Sequence, residues 1–336
     1  MLNARLKLNQ DVFLKSATAR SPRDGFGEGV IELAEKNLSV VVLSADLAES
    51  TKLKDFAEKF PQRFIQTGIA EQNMCSIAAG LSTEGKIPYA VSHAVFIAYR
   101  SWDQIRLSIC MNNANVKICG SHEGFSNGPD GASAEPLEDI ALMRVLPNMV
   151  VVSPIDYEQT KKAVIEVSKI QGPVYLRFSK AKIPDLTTKE TPFRIGKADI
   201  FVEGKDITVI SCGSITYEAL LAVRNLRAKY KIEAELIVSP TIKPLDEYRI
   251  LESIRKTGKA VTIEEHQING GLGGAISELL CEKLPSPLLR IGMNDSFGES
   301  GSYEELKDKY GLSAHHIENK ILKFLNIALI IVFLLH

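Results

Sequence analysis

The chain has 336 residues, 45% of them hydrophobic and 24% charged, and a formal net charge of −1. That length sets a prior of two globular domains. The near-neutral charge removes any electrostatic case for nucleic acid or for an acidic membrane surface.

The first residues, Met1 to Phe13, lack a long apolar core and do not read as a signal peptide. Apolar runs then alternate with longer amphipathic stretches. Val40-Val41-Val42-Leu43, Arg63-Phe64-Ile65-Gln66, Val116-Lys117-Ile118-Cys119, Met149 to Val152 and Val174-Tyr175-Leu176 read as strands. Helical patterns fall near 51–59, 71–83, 97–111 and 156–170. The rhythm predicts a mostly parallel sheet covered by helices. Pro184, Thr187-Thr188 and Thr191-Pro192 mark a linker over 187–194, so a first domain is expected over 1–186. A second α/β series follows over 195–325, with strands at Ile207 to Ile210, Ala234 to Val238, Ala260 to Ile263 and Leu288 to Ile291. Helical segments are expected there near 214–229, 247–256, 273–284 and 303–309. The fold class is therefore α/β, with two consecutive domains, each a mostly parallel sheet flanked by helices. Residues 326–336 form an apolar tail in which Ile327 to Leu335 are nine consecutive apolar residues. A spanning helix needs roughly 20, so this run is too short to span alone; its role is unassigned and no clear membrane association is expected.

Five cysteines, at 75, 110, 119, 212 and 281, are scattered and form no Cys-x-x-Cys or Cys/His metal spacing. They are expected to be reduced thiols in a cytoplasmic protein, and no metal ligand is assigned to this chain. Gly270-Gly271-Leu272-Gly273-Gly274 follows a strand and opens a helix. Its spacing is wrong for a dinucleotide fingerprint, and a tight turn with close helix packing is the plainer reading. Glu264-Glu265-His266 has ligand chemistry without a second cluster and is expected to be structural.

The most informative segment is Gly68-Ile69-Ala70-Glu71-Gln72-Asn73-Met74. It puts one carboxylate at a strand-to-helix junction, where open α/β sheets bind ligands. A helix N-terminus also stabilises an acid as a simple cap. The surrounding blocks weigh against the simple cap. In order they are Arg23-Asp24-Gly25-Phe26-Gly27, Asp46 to Thr51, the Glu71 block, Trp102-Asp103-Gln104-Ile105-Arg106 and Gly120-Ser121-His122-Glu123-Gly124. Asp130-Gly131-Ala132-Ser133, Leu176-Arg177-Phe178-Ser179, Thr241 to Asp246 and Glu264-Glu265-His266 complete the series.

Together, from about Ala17 to Leu325, these blocks resemble the C-terminal half of transketolases, their pyrimidine-binding and last domains. The family's Mg²⁺–diphosphate motif, Gly-Asp-Gly followed by paired asparagines, has no counterpart here; Asn112-Asn113 has no Gly-Asp-Gly ahead of it. The chain thus looks like one subunit of a split transketolase. The resemblance implies thiamine diphosphate as cofactor and Mg²⁺ held by an N-terminal partner subunit. It also implies self-association within an α₂β₂ assembly, with sugar phosphates as substrates. Glu71 matches the acid that hydrogen-bonds N1′ of the cofactor's aminopyrimidine and drives it to the imino form; the cofactor supplies the hard chemistry and the protein tunes it. His93 and Phe96 match the aromatic pair that walls the pyrimidine, with His93 standing where Phe is common. Asp46 matches an aspartate near the cofactor. Arg23, Ser50, His122 and Arg177 match the phosphate-binding set, and Asp130 an aspartate on a sugar hydroxyl. Ala134 departs from the His or Gln common there, which puts acceptor preference in question. Related readings are the β subunit of a 2-oxo acid dehydrogenase, a 1-deoxy-xylulose-5-phosphate synthase-like enzyme and, from another class, a non-catalytic assembly subunit.

Overall fold

The computed structural model describes residues 2–325; the apolar run 327–335 lies outside the described residues. Fourteen strands follow in chain order: β1 (Ala19–Arg20), β2 (Val40–Ser44), β3 (Phe64–Gln66), β4 (Ile87–His93), β5 (Lys117–Ser121), β6 (Val150–Val152), β7 (Val174–Phe178), β8 (Ile183–Pro184), β9 (Asp199–Val202), β10 (Ile207–Ser211), β11 (Ala234–Val238), β12 (Thr241–Lys243), β13 (Ala260–Gln267) and β14 (Leu288–Met293). They build a seven-stranded sheet in the order β12-β6-β7-β5-β4-β2-β3, a five-stranded sheet in the order β14-β13-β10-β11-β9, and the small ladder β1-β8. Strands β2 to β7 all run parallel. In the second sheet only β9 runs antiparallel. The fold is α/β, two mostly parallel sheets flanked by helices.

Strand β4 is not apparent in the sequence. Pro88 and the polar end Ser92-His93 disguise a central strand whose five middle residues are buried. Strand β12 comes from the second half of the chain yet pairs antiparallel with β6 in the first sheet. The Thr241 to Asp246 block therefore stitches the halves together. Lys243 extends the stitch by donating to the carbonyl of Arg144 at 2.9 Å.

Each face of the first sheet has its own apolar filling. On one side helices Pro22–Lys36 and Tyr157–Val167 lay Phe26, Val30, Leu33, Val164 and Val167 against Val40, Val42, Tyr89 and Val91. These helices approach closely because a Cβ on Gly25 would sit 2.3 Å from the carbonyl oxygen of Tyr157. That clearance explains a glycine in the Arg23–Gly27 block. On the other side helix Glu71–Thr83 and the irregular helical segment from Phe96 to Cys110 place Met74, Cys75, Ala78, Ile97 and Ile105 on Leu43, Ala90 and Ile118. That cluster continues without a break through Cys212, Ile242 and Leu272 of the second half.

Polar groups occupy the seam between the halves. Arg177 on β7 is 1% exposed. Its Nε donates to Asp139 at 2.7 Å, Nη1 to Glu123 at 3.2 Å, and Nη2 to the carbonyls of Glu265 at 2.9 Å and Pro136 at 3.1 Å. Burial opposes its charge, but Asp139 and Glu123 outweigh that and hold the guanidinium protonated. Glu265 accepts from the Tyr303 hydroxyl at 2.9 Å and from the Phe125 backbone at 2.5 Å. Burial, reinforced by Glu123, pushes its carboxyl up to about 8.

Removing one partner of a buried ion pair leaves the other unpaired, which costs about 3–5 kcal/mol. Arg177→Met should lower the urea-unfolding free energy by that amount while surface arginine variants barely change it. The carboxyl of Glu265 has a folded value above its ordinary 4.5. Between these values the folded state holds a proton that the unfolded state has released, so stability falls as pH rises toward 8. Glu265→Gln should flatten that decline in thermal melts across the same window.

Candidate functional site

The topology opens a crevice at one edge of the first sheet. From β2 the chain steps to β3 on one side, then returns to place β4 on the other side. The connections leaving the carboxyl ends of β2 and β4 therefore diverge, and ligands of open α/β sheets bind at such a point. The candidate residues follow this edge. Ser50 follows β2, Glu71 follows β3, His93 ends β4, His122 follows β5 and Lys180 follows β7. The Ser50 hydroxyl lies 2.9 Å from His93 Nε2 and spans the β2–β4 gap.

Glu71 is the first residue of helix Glu71–Thr83, set there by Gly68, whose φ of +70° turns the chain out of β3. Its side chain is only 2% exposed. The Ser92 hydroxyl donates to Oε1 at 3.3 Å, and Arg100 Nη1 donates to Oε2 at 3.4 Å. Both bonds are long, so this carboxylate is buried but loosely held. The Phe96 ring stacks at 5.5 Å and 16° on His93, which stacks in turn at 3.8 Å on His122. Phe96–Arg100 is a π-helical turn, a rare widened form frequent at functional sites.

A donor set converges beside this stack. Ser50 Oγ also lies 3.4 Å from His122 Nε2, and Ser121 Oγ lies 2.8 Å from His122 Nδ1. His122 adopts φ +66°, which turns its ring into the crevice-side cluster just past β5. Arg23 donates through Nη1 to the Ser50 carbonyl at 2.7 Å, while its buried Nε has no hydrogen-bond partner among the described residues. Lys180 Nζ donates to Asn127 Oδ1 at 3.0 Å, and Asn127 Nδ2 donates to Asp130 Oδ2 at 2.7 Å. Burial, with Lys180 next and Arg23 adding, lowers the His93 imidazole to about 4 against the opposing pull of Asp130 and Glu71. Burial, then His93, Arg23 and Lys180, lowers His122 to about 2. Two neutral imidazoles, a hydroxyl and two fixed cations form a site suited to an anion.

The structure thus brings together Arg23, Ser50, His93, Phe96, His122, Asp130 and, at the adjoining strand end, Glu71. Arg177 requires correction. It is not a phosphate ligand on this edge, because its side chain is sealed in the seam and every donor nitrogen is engaged there. Lys180, three residues further along and beyond the strand end, is the cation that reaches the cluster. Asp46 stands apart. It is exposed past β2 at φ +60°, and its backbone N–H donates to Gln66 Oε1 at 2.7 Å. The glycine-rich turn receives Glu264, which accepts from the N–H groups of Leu272 at 2.7 Å and Gly273 at 2.8 Å. A Cβ on Gly271 would lie 2.0 Å from that carboxylate. Elsewhere, a cleft of about 290 Å³ at the seam is lined by Glu138, Gln267, Asp295 and Phe297, none of them in this cluster. Among the described residues no helix is long and apolar enough to cross a membrane.

Comparison with known proteins matches residues 19–185 to the transketolase pyrimidine-binding domain and residues 196–317 to the transketolase C-terminal domain. The chain belongs to the transketolase family. A 6-deoxy-6-sulfo-D-fructose transketolase subunit of Clostridium sp. is 39% identical over 88% of this chain and 91% of its own length. One of the subunits of an apulose-4-phosphate transketolase from Phocaeicola vulgatus is 36% identical over 90% of this chain and 96% of its own. A solved split-gene transketolase, described as an inactive β₄ tetramer, is 44% identical and superposes with a TM-score of 0.85. It covers 92% of this chain and 99% of that one.

The transketolase pyrimidine-binding domain implies thiamine diphosphate, and the residues present fit one end of it. A buried, loosely held carboxylate beside an aromatic ring suits an aminopyrimidine edge and face. The orphaned Nε of Arg23 suits an anion. The depressed histidines give a direct check. Each is expected to stay neutral from pH 8 down to 5 in imidazole carbon and nitrogen chemical shifts, with His93 gaining its proton near 4. Protonation of either near 6.5 would mean that the cluster is open to water.

Proposed function

We propose that this chain is the pyrimidine-side subunit of a two-chain, thiamine-diphosphate-dependent transketolase. It would transfer a two-carbon ketol unit between sugars that carry a terminal anion, in the simplest case phosphate. The observation that carries this reading is the placement of Glu71 and the Arg23–Ser50–His122–Lys180 donor set on one sheet edge. Both lie about the β2–β4 crevice, an acid at one side and an anion receptor at the other. The relatives named as transketolase subunits span nearly their whole length in this alignment, which supports a separate partner chain. The sugars in their names end in a sulfonate and a phosphate, which supports an anion receptor that tolerates different sugars.

Thiamine diphosphate, when bound, supplies the carbon that carries the ketol unit. The work of this chain lies in its own residues. Glu71 holds a proton against the pyrimidine nitrogen, and Phe96 with His93 gives the ring an apolar wall. Arg23 and Lys180 bind the substrate's terminal anion as charges, while Ser50 and His122 orient it as neutral donors. Asp130, which accepts from Asn127, would accept a hydrogen bond from a sugar hydroxyl. No Mg²⁺ site is assigned to these residues, and the metal and diphosphate belong to the proposed partner chain.

Two measurements on the complex reconstituted with an N-terminal transketolase subunit test the reading. Glu71→Gln keeps shape and a hydrogen-bond donor but cannot share a proton, so ketol transfer should fall by about 10²–10⁴-fold with assembly intact. A cap residue alone would cost on the order of 1 kcal/mol of stability and leave turnover unchanged. Lys180→Met should raise KM for a phosphorylated acceptor by about tenfold or more, since a hydrogen bond to a charged group is worth about 1.5–3 kcal/mol. Equal loss with a neutral analogue would show that Lys180 only positions the Asn127–Asp130 loop.

A further inference from the structure

Arg100 stands where a bound aminopyrimidine would have to go. Its guanidinium carbon lies 4.3 Å from the centroid of the Phe96 ring. Its Nη1 donates to Glu71 Oε2 at 3.4 Å, and Glu71 is the only hydrogen-bond partner of the guanidinium among the described residues. A flat, nitrogen-edged group therefore covers the aromatic wall and bonds the buried acid at the same time. Those are the two contacts that the reading above assigns to the cofactor's ring. The side chain of Arg100 is nonetheless 52% exposed, whereas Glu71 is 2% exposed. One end of the pair is buried in the fold and the other is open to solvent.

The backbone permits that departure. Arg100 closes the π-helical turn Phe96–Arg100, and Ser101 breaks the helix immediately after it at φ −101°, ψ 9°. Trp102 then re-anchors the chain by donating from its indole to the Leu142 carbonyl at 2.9 Å. The arginine thus sits at the last residue before a break, with firm packing on either side. The Arg100–Glu71 bond is long and its arginine end is half exposed, so it is weak, and so is a cation–π contact open to water. The contact is strong enough to occupy the seat and weak enough to yield it.

We propose that Arg100 is a placeholder for the aminopyrimidine. In the chain without cofactor it occupies the Glu71–Phe96 seat, and cofactor entry displaces its guanidinium into solvent. This rests on the assignment of Glu71 and Phe96 to the pyrimidine. It adds a competition step that the cofactor must win before Glu71 can act.

The test uses the full chain by itself, with thiamine diphosphate and Mg²⁺ as probe. Saturation-transfer NMR reads even weak binding. Arg100→Ala should bind about three- to tenfold more tightly than the wild type, because the competitor is gone. Glu71→Ala and Phe96→Ala should bind more weakly. A second readout is phenylglyoxal labelling of Arg100, quantified by mass spectrometry. Labelling should rise when thiamine diphosphate is added, since the displaced guanidinium becomes more exposed. Should Arg100→Ala bind no more tightly, or should the cofactor shield Arg100 from labelling, the placeholder idea is overturned. The pyrimidine seat itself would still stand if Glu71→Ala and Phe96→Ala weaken binding. Wild-type-like binding by those two variants would remove the seat and the placeholder together. Absence of any signal from both the wild type and Arg100→Ala would also overturn the proposal.

Discussion

The reversal of direction between β3 and β4 is the constraint on which the rest of this structure depends. A parallel sheet aligns all its carboxyl ends on one edge, but a uniform progression of crossovers would cover that edge evenly. By stepping from β2 to β3 and then back across to β4, the chain leaves one gap uncovered. Residues far apart in sequence then face one another across it. Ser50 stands 43 positions from His93 and 72 from His122, yet all three meet through its single hydroxyl. The stacked rings, the depressed imidazoles and the reach of Lys180 all follow from that meeting.

Charge is handled in opposite ways on the two sides of β7. Arg177, inside the strand, is surrounded by carboxylates and carbonyls that fix it as part of the seam. Lys180, past the strand end, has one amide partner for its ammonium among the described residues and is partly exposed. Buried pairing makes an arginine immobile and unavailable, while partial exposure leaves a cation free to exchange a neighbour for a ligand. A related contrast separates the buried Glu71 from the half-exposed Arg100.

Much of this is legible in the sequence, and the failures have physical causes. Glu71 can be found because small and apolar residues surround one acid at a strand-to-helix junction. The strands of both sheets can be found where valine and isoleucine run together, as at Val40 to Leu43. Strand β4 is hidden by Pro88, whose missing N–H argues against a central strand. Arg177 invites misassignment because its neighbours look like a ligand block. A signal is present all the same, since Arg177 shares the alternation of Val174-Tyr175-Leu176-Arg177-Phe178 and so points to the same side as the buried Tyr175. Lys180 escapes notice because a lysine in a polar loop looks like solvent-facing charge. Arg100 cannot be found at all without coordinates, because its meaning lies in the ring beneath it and the acid beside it.

Strand β12 has a consequence for how this protein can be divided. The linker near 187–194 looks like a place where two modules join, yet the first sheet takes its last strand from beyond it. A fragment ending at the linker would leave the backbone of Val150–Val152 unpaired along one side. That is the kind of open edge that recruits other chains into aggregates. The two halves therefore share one sheet and depend on each other for its completion. A lineage that separated them at the linker would first have had to supply the sheet with a new strand.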